Sequence, residues 1–269
     1  MTRVGIVGCG TIGSELARAL ERDYRHVARV VALVDPQRPH ALRLQQQLSS
    51  RPPIVSLPEL IRRSQLVLET ATAAVAARVV RLALTAHRDV LVMSTGGLLA
   101  APASWQRAAR RSRGRLYIPS GALAGIDGIK AMAVGTIRAI RLTTRKPPRA
   151  LADAPLVRAR GLKLAGLRTP KVLFDGSPRD AIRAFPQNAN IAATMFLACG
   201  AKSQAARVRV VADPALTRNI HELDIEGDCG RIRVQIESRP SSNPKTSELA
   251  VRSALAALRQ LFEPVRIGT

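Results

Sequence analysis

Hydrophobic and polar positions change rhythm near the middle of the chain. Residues 3–7 form a short apolar run that breaks at Gly8-Cys9-Gly10-Thr11-Ile12-Gly13. It resumes over 14–20 with apolar positions at helical spacing. This pattern predicts strand, glycine turn and helix. The alternation continues: 27–34 reads as a strand, 40–48 as a polar helix, 54–56 as a short strand and 58–63 as a brief helix. Then 66–69 reads as a strand, 73–85 as an apolar helix, 89–93 as a strand, 102–113 as a helix and 115–118 as a strand. Strands that are apolar throughout and alternate with helices predict a parallel sheet covered on both faces. From residue 139 onward, period two dominates. The segments 139–146, 207–211, 219–225 and 231–237 alternate, and 171–174 adds a short strand, which predicts a mostly antiparallel sheet. Helices are expected at 178–185 and 190–199, and 147–170 is irregular. At the end, Asn243 is placed as an N-cap and Pro244 as the first residue of a helix. Its residues Val251, Ala254, Leu255, Leu258, Leu261 and Phe262 share one face, expected to pack back on the N-terminal domain.

The first turn carries the most specific chemistry. In G-x-G-x-x-G, Gly8 permits the tight turn, Gly10 lets the backbone approach a pyrophosphate, and Gly13 lets helix and strand pack closely. Amide groups at the start of the helix, around Thr11 and Ile12, then face an anion. The next strand ends in Asp35, where a carboxylate can accept both ribose hydroxyls of an adenosine. Gly8, Gly10, Thr11, Ile12, Gly13 and Asp35 are therefore expected to bind a dinucleotide, NAD or NADP. Ligands of such sheets lie at the carboxyl ends of the strands, where 69–71 and 94–97 are either cofactor-lining loops or ordinary turns. Small residues crowd 119–128, a turn suited to a backbone passing close to a nicotinamide ring. The expected fold class is α/β. An N-terminal Rossmann-type parallel-sheet domain (1–121 with 243–269) precedes a C-terminal α+β catalytic domain with a mostly antiparallel sheet (122–242).

Composition narrows the class. A chain of 269 residues with 46% hydrophobic residues can fill two cores. Apolar stretches are broken well short of the roughly 18 residues a membrane span needs, and the N-terminus runs directly into a strand. No membrane association or secretory leader is expected. Cys9, Cys199 and Cys229 form no C-x-x-C pair, so neither a disulfide framework nor a metal site is suggested, and a reducing cytoplasm is the expected location. The net charge of +23 would attract polyanions. The arginines are dispersed, however, and 3% aromatics supply no stacking platform, so no specific nucleic-acid function is expected.

Four segments complete the reading. They are Pro119-Ser120-Gly121-Ala122-Leu123-Ala124-Gly125-Ile126-Asp127, Phe185-Pro186-Gln187-Asn188-Ala189-Asn190, Asn219-Ile220-His221-Glu222 and Asn243-Pro244-Lys245-Thr246-Ser247. Taken in this order behind the glycine loop, they resemble the L-aspartate dehydrogenase family over nearly the whole chain. The resemblance implies a homodimer formed through the catalytic domain and NAD or NADP as hydride carrier. It also implies a catalytic histidine at His221 and nicotinamide-side contacts at Ala124 and Asn190. Ser120, Asn188, Lys245 and Thr246 lie in the matching motifs and are candidates to hold a dicarboxylate amino acid. The implied reaction is NAD(P)-dependent oxidation of L-aspartate to iminoaspartate, which hydrolyses to oxaloacetate and ammonia, with a place in pyridine-nucleotide synthesis.

The chemistry of His221 agrees with that role, because oxidising an amine requires a group that removes its proton, and imidazole suits this exchange near neutrality. Glu222, on the opposite face of an alternating strand, is expected to point away. Two alternatives remain. One is a related two-domain reductase of a cyclic imine or semialdehyde. A phosphorylating version would need a thiolate that Cys199, in an apolar helix, is poorly placed to supply. The other is a noncatalytic protein that binds nucleotide or nucleic acid.

Overall fold

The computed structural model describes residues 1–186, 189–239, 241 and 246–268. The chain divides into two compact units, one of 1–119 with 251–267, the other of 120–250 with 268–269.

The first unit alternates strand and helix from its start. Strands β1 (Thr2–Val7), β2 (Ala28–Val34), β3 (Leu66–Glu69), β4 (Asp89–Val92) and β5 (Leu116–Tyr117) form a parallel sheet in the order β2-β1-β3-β4-β5. Between them run α1 (Thr11–Asp23), α2 (Arg38–Gln47), α3 (Leu57–Arg63), α4 (Ala73–Thr85), α5 (Thr95–Ala100) and α6 (Ser104–Arg111). The continuous apolar strands are explained by burial on both faces: all four residues of β3 are buried. Three expectations need correction. Residues 54–56 form no strand of their own, only a bridge from Ile54 to Leu33. Residues 95–97 are the first turn of α5, not a loop, and pack tightly there: a Cβ on Gly97 would lie 2.1 Å from the carbonyl oxygen of Ala73. The last helix, α11 (Glu248–Phe262), begins at Glu248 rather than at the Asn243-Pro244 pair, which lies outside the described residues. Its buried Ala254 and Leu258 join the core of α1 and β1, with Phe262 against Tyr24 at 5.4 Å.

The second unit opens with α7 (Ile126–Val134), a helix hidden in the sequence by the small residues before it. Its sheet is built from β6 (Ile137–Lys146), β7 (Lys171–Gly176), β8 (Ala206–Ala212), β9 (Asn219–Gly227) and β10 (Gly230–Ser238), in the order β10-β9-β6-β8-β7. Every pairing is antiparallel except β6 with β8. Helices α8 (Pro155–Ala159), α9 (Pro178–Ala184) and α10 (Ala189–Ala198) complete it. Period two sorts the two faces. Ile140 and Leu142 of β6, Val208 and Val210 of β8, and Leu223 and Ile225 of β9 point into one core with Ile129 and Met132 of α7. The other face carries arginines paired with acids, such as Arg209 with Asp175 at 2.7 Å and Arg145 with Asp213 at 2.8 Å. Part of the arginine excess is thereby matched in place.

Candidate active site

In the first unit, the polar groups collect at the carboxyl ends of the strands. The backbone at Gly8 has φ +96°, and a Cβ there would lie 2.5 Å from the amide nitrogen of Ala71. Only glycine takes this turn without strain. At Gly13 a Cβ would lie 2.0 Å from the carbonyl oxygen of Gly8, so the start of α1 can fold over the end of β1 only if position 13 has no side chain. Gly10 is different, since it is exposed and a Cβ there would meet nothing within 4 Å. Its bareness serves no internal contact. No side chain caps α1, and its first turn holds no acid, so the amides of Thr11, Ile12 and Gly13 are left for an anion.

Asp35 is fixed to this loop. One carboxylate oxygen accepts from the backbone N–H of Cys9 at 2.7 Å and the other from that of Gln37 at 2.8 Å. Each oxygen keeps a further lone pair for a hydroxyl donor. The loop is also braced from β3, whose following residue Thr70 donates its hydroxyl to the Gly8 carbonyl at 2.7 Å. Glu69, at the end of β3, is fully buried. It accepts from the amides of Ala71 at 2.9 Å and Ser94 at 3.1 Å, joining the turns that follow β3 and β4. Burial pushes its carboxyl up to about 7 despite these bonds. An uncapped helix start, a bare Gly10 and a preset Asp35 fit the diphosphate and adenosine ribose of a dinucleotide.

In the second unit, His221 is buried in β9 directly opposite Thr144 of β6. Its Nδ1 lies 3.1 Å from Thr144 Oγ1. Two residues further along each strand are Lys146 and Asn219, on the same face because side chains alternate. Burial first, and then the charge of Lys146, lower the imidazole to about 3. Shielding of its ammonium group lowers Lys146 in turn to about 8. Glu222 points the other way, 4.0 Å from Arg145, as strand alternation predicts.

The remaining expected residues divide. Ala124 is exposed and Ser120 half-buried in the turn before α7. That turn crosses the His221 face of the sheet, since a Cβ on Gly125 would lie 3.2 Å from Val234 and 3.4 Å from Leu223. Asn190 is exposed in the first turn of α10. Thr246 accepts from the amide of Ser241 at 2.8 Å, and Glu248 donates to the Arg239 carbonyl at 2.9 Å. These bonds hold Thr246 beside the end of β10, where Ser238 pairs with Asn219. Asn188 and Lys245 lie outside the described residues. Neither buried thiol is a nucleophile: burial pushes Cys9 to about 12 and Cys199 to about 11. Among the described residues, no group of three His, Cys, Asp or Glu side chains could hold a metal ion, and no helix is long and apolar enough to cross a membrane.

Residues 8–119 match the model of the homoserine dehydrogenase NAD-binding domain, and residues 127–261 match that of the aspartate dehydrogenase C-terminal domain. The chain belongs to the aspartate dehydrogenase family. It is 41% identical to the L-aspartate dehydrogenase of Methanosarcina barkeri, with both proteins covered over their full length. It is 37% identical to L-aspartate dehydrogenase 3 of Bordetella bronchiseptica, covering 99% of this chain and 97% of that protein. Among solved structures, aspartate dehydrogenase from Thermotoga maritima superposes with a TM-score of 0.74 at 25% identity, again over all of both chains. The expected α/β class, the two sheet types and the membership of a pyridine-nucleotide-dependent oxidoreductase family therefore hold.

Sequence reasoning missed Thr144 and Lys146 beside His221, and it left 69–71 open between a cofactor-lining loop and an ordinary turn, without the bracing role of Glu69. A signal for the first two was present: the inward positions of β6 read Ile140, Leu142, Thr144, Lys146, two apolar residues followed by two polar ones. Glu69 differs, because only its burial shows that a carboxylate at a strand end is structural.

Proposed function

We propose that this protein oxidises L-aspartate to iminoaspartate with NAD or NADP, releasing NAD(P)H and a proton. The imine then takes up water to give oxaloacetate and ammonia. The observation that carries this reading is the buried His221–Thr144 pair. It supplies a neutral base at working pH, next to a lysine suited to an acidic substrate. A bound nicotinamide would supply the hydride acceptor for the substrate Cα. His221 takes the proton from the substrate amine at Nε2, which requires that Nδ1 carry the other hydrogen and donate it to Thr144 Oγ1. Thr144 thereby fixes the tautomer and the ring plane. The glycine loop and Asp35 bind the diphosphate and adenosine ribose, and Ala124 and Asn190 are assigned to the nicotinamide side. Ser120 and Thr246 are assigned to the substrate, with Asn188 and Lys245 carried by the same motif match. A homodimer, a cytoplasmic location and supply of iminoaspartate to pyridine-nucleotide synthesis belong to this reading.

The test is NADH formation by purified protein with NAD+ and a panel of amino acids. L-aspartate is expected to react best. His221→Ala is expected to lower kcat by a factor on the order of 10² or more, with the Kd for NAD+ little changed. A preference for a monocarboxylate amino acid, or full turnover in the variant, would overturn the assignment.

A further inference from the structure

The residues around His221 include a cation and an unsatisfied donor that the proton transfer does not use. Strand register defines their place. On β9, Asn219, His221, Leu223 and Ile225 share one face, and on β10 their directly opposed partners are Ser238, Ile236, Val234 and Ile232. On β6, Ile140, Leu142 and Thr144 oppose Ile225, Leu223 and His221, and Lys146 is the next residue on that side. This face is therefore apolar over most of its length and polar at one end. There Lys146, Thr144, His221, Asn219 and Ser238 come from three adjacent strands.

Two members of the group are costly to keep. Ser238 is 5% exposed, and among the described residues its hydroxyl finds no hydrogen-bond partner. A buried hydroxyl left unpaired destabilises a fold. Lys146 is half-buried, burial alone perturbs its ammonium group, and among the described residues no acid lies beside it. The nearby acids are turned elsewhere. Asp213 follows the strand paired with β6 and binds Arg145, and Glu222 faces Arg145 as well. A desolvated cation and an orphan donor on one face, beside the proposed base, are complementary to a carboxylate.

We propose that Lys146 and Ser238 form the anchor for a carboxylate of the substrate, with Lys146 supplying the charge and Ser238 a hydroxyl donor. This rests on the dehydrogenase reading above and assigns the acidic specificity to residues outside the motifs that carry the family resemblance. It also gives the lysine a second effect. Burial chiefly, and the positive charge of Lys146 second, oppose protonation of His221, and a carboxylate bound to Lys146 offsets the second of these as the amine proton is transferred. Lys146 is a specificity residue here, not a proton carrier.

Lys146→Met keeps the length of the side chain and removes the charge. It should raise the KM for L-aspartate on the order of 100-fold while kcat changes less than about tenfold. Calorimetric Kd values for succinate, a dicarboxylate with no amine to oxidise, should weaken on a similar scale, and Lys146→Arg should restore most of that affinity. Ser238→Ala should weaken succinate by about fivefold while leaving the Tm unchanged or raising it, because it deletes an unsatisfied buried group. A serine kept only for structure would not combine those two results. Unchanged KM and succinate Kd in Lys146→Met, or loss of kcat with KM intact, would overturn the anchor. Should the wild-type protein bind succinate through Lys146 yet leave L-aspartate unoxidised, the anchor stands and the dehydrogenase reading fails.

Discussion

The glycine loop of the first unit and the histidine face of the second both suit acidic ligands, but they are built by different means. The loop is made of backbone. Its parts are contiguous over 8–13, with Asp35 one strand away, and its shape is enforced by contacts that a single methyl group would break. The histidine face is made of side chains from β6, β9 and β10, brought together only by strand register. It contains groups displaced far from their ordinary ionisation. Recognition by backbone is therefore expected to be sensitive to side-chain volume, and recognition by the histidine face to side-chain charge.

The largest expected effect breaks the loop by volume. Gly13→Ala places a methyl group 2.0 Å from the Gly8 carbonyl oxygen, so α1 must move off β1, and a loss of more than about 3 kcal/mol in stability is expected from denaturant unfolding. Gly10→Val should cost no more than about 1 kcal/mol in unfolding, because nothing surrounds that position and only its place as the N-cap of α1 is weakened. It should nevertheless weaken NAD+ on the order of 100-fold by calorimetry, since the branched side chain occupies the approach to the helix start. An unchanged Kd in the Gly10→Val protein would show that this bare position is not the cofactor's.

An effect of intermediate size separates the two regions by pH. His221 is held at about 3, below its ordinary 6.5, so the native state refuses a proton that the unfolded chain accepts. The stability this contributes is fully present above about pH 6.5 and is lost as pH falls toward 3. At pH 5 the loss is roughly 2 kcal/mol. Glu69 has the opposite sign. Its carboxyl is raised to about 7, so its ionisation opposes folding, and that opposition is relieved as pH falls toward 4.5. Between pH 7 and 5 the two groups nearly cancel in the wild-type protein. His221→Asn removes one side of the balance. Acidification over that interval should therefore raise the variant's unfolding free energy relative to wild type by about 2 kcal/mol. A constant difference at both pH values would mean that His221 titrates as an exposed histidine.

The same contrast explains which features were legible in the sequence. The β/α alternation of 1–118 was readable because burial on both faces turns whole strands apolar, and Gly8, Gly10, Gly13 and Asp35 because their spacing is local. His221 was legible from its motif, but its partners were not. Thr144 and Lys146 precede it by more than seventy residues, and only the β6–β9 register places them beside it. Helix α7 was obscured because Gly125, at a left-handed φ of +82°, starts it within a stretch that reads as turn. Helix α11 begins at Glu248, and the Asn243-Pro244 pair lies outside the described residues.

The smallest expected effect concerns cofactor choice and lies at the edge of the loop. The preset carboxylate of Asp35 favours the two ribose hydroxyls of NAD and repels a 2′-phosphate. Arg38, three residues on, is exposed at the first position of α2, and among the described residues no ion pair engages it. A cation at a helix N-terminus is disfavoured by the helix dipole by roughly 0.3–1 kcal/mol, so helix stability does not account for it. A guanidinium here can bind the 2′-phosphate of NADP in bidentate fashion and offset the repulsion from Asp35. Both cofactors should therefore work, with NAD modestly preferred. Arg38→Ala should lower kcat/KM for NADP by roughly tenfold, the scale of one lost charge-assisted hydrogen bond, and leave NAD within about twofold. An equal loss with both cofactors would assign Arg38 to supporting the turn after β2, and the preference would then rest on Asp35 and on His40, whose Nδ1 lies 3.9 Å from that carboxylate.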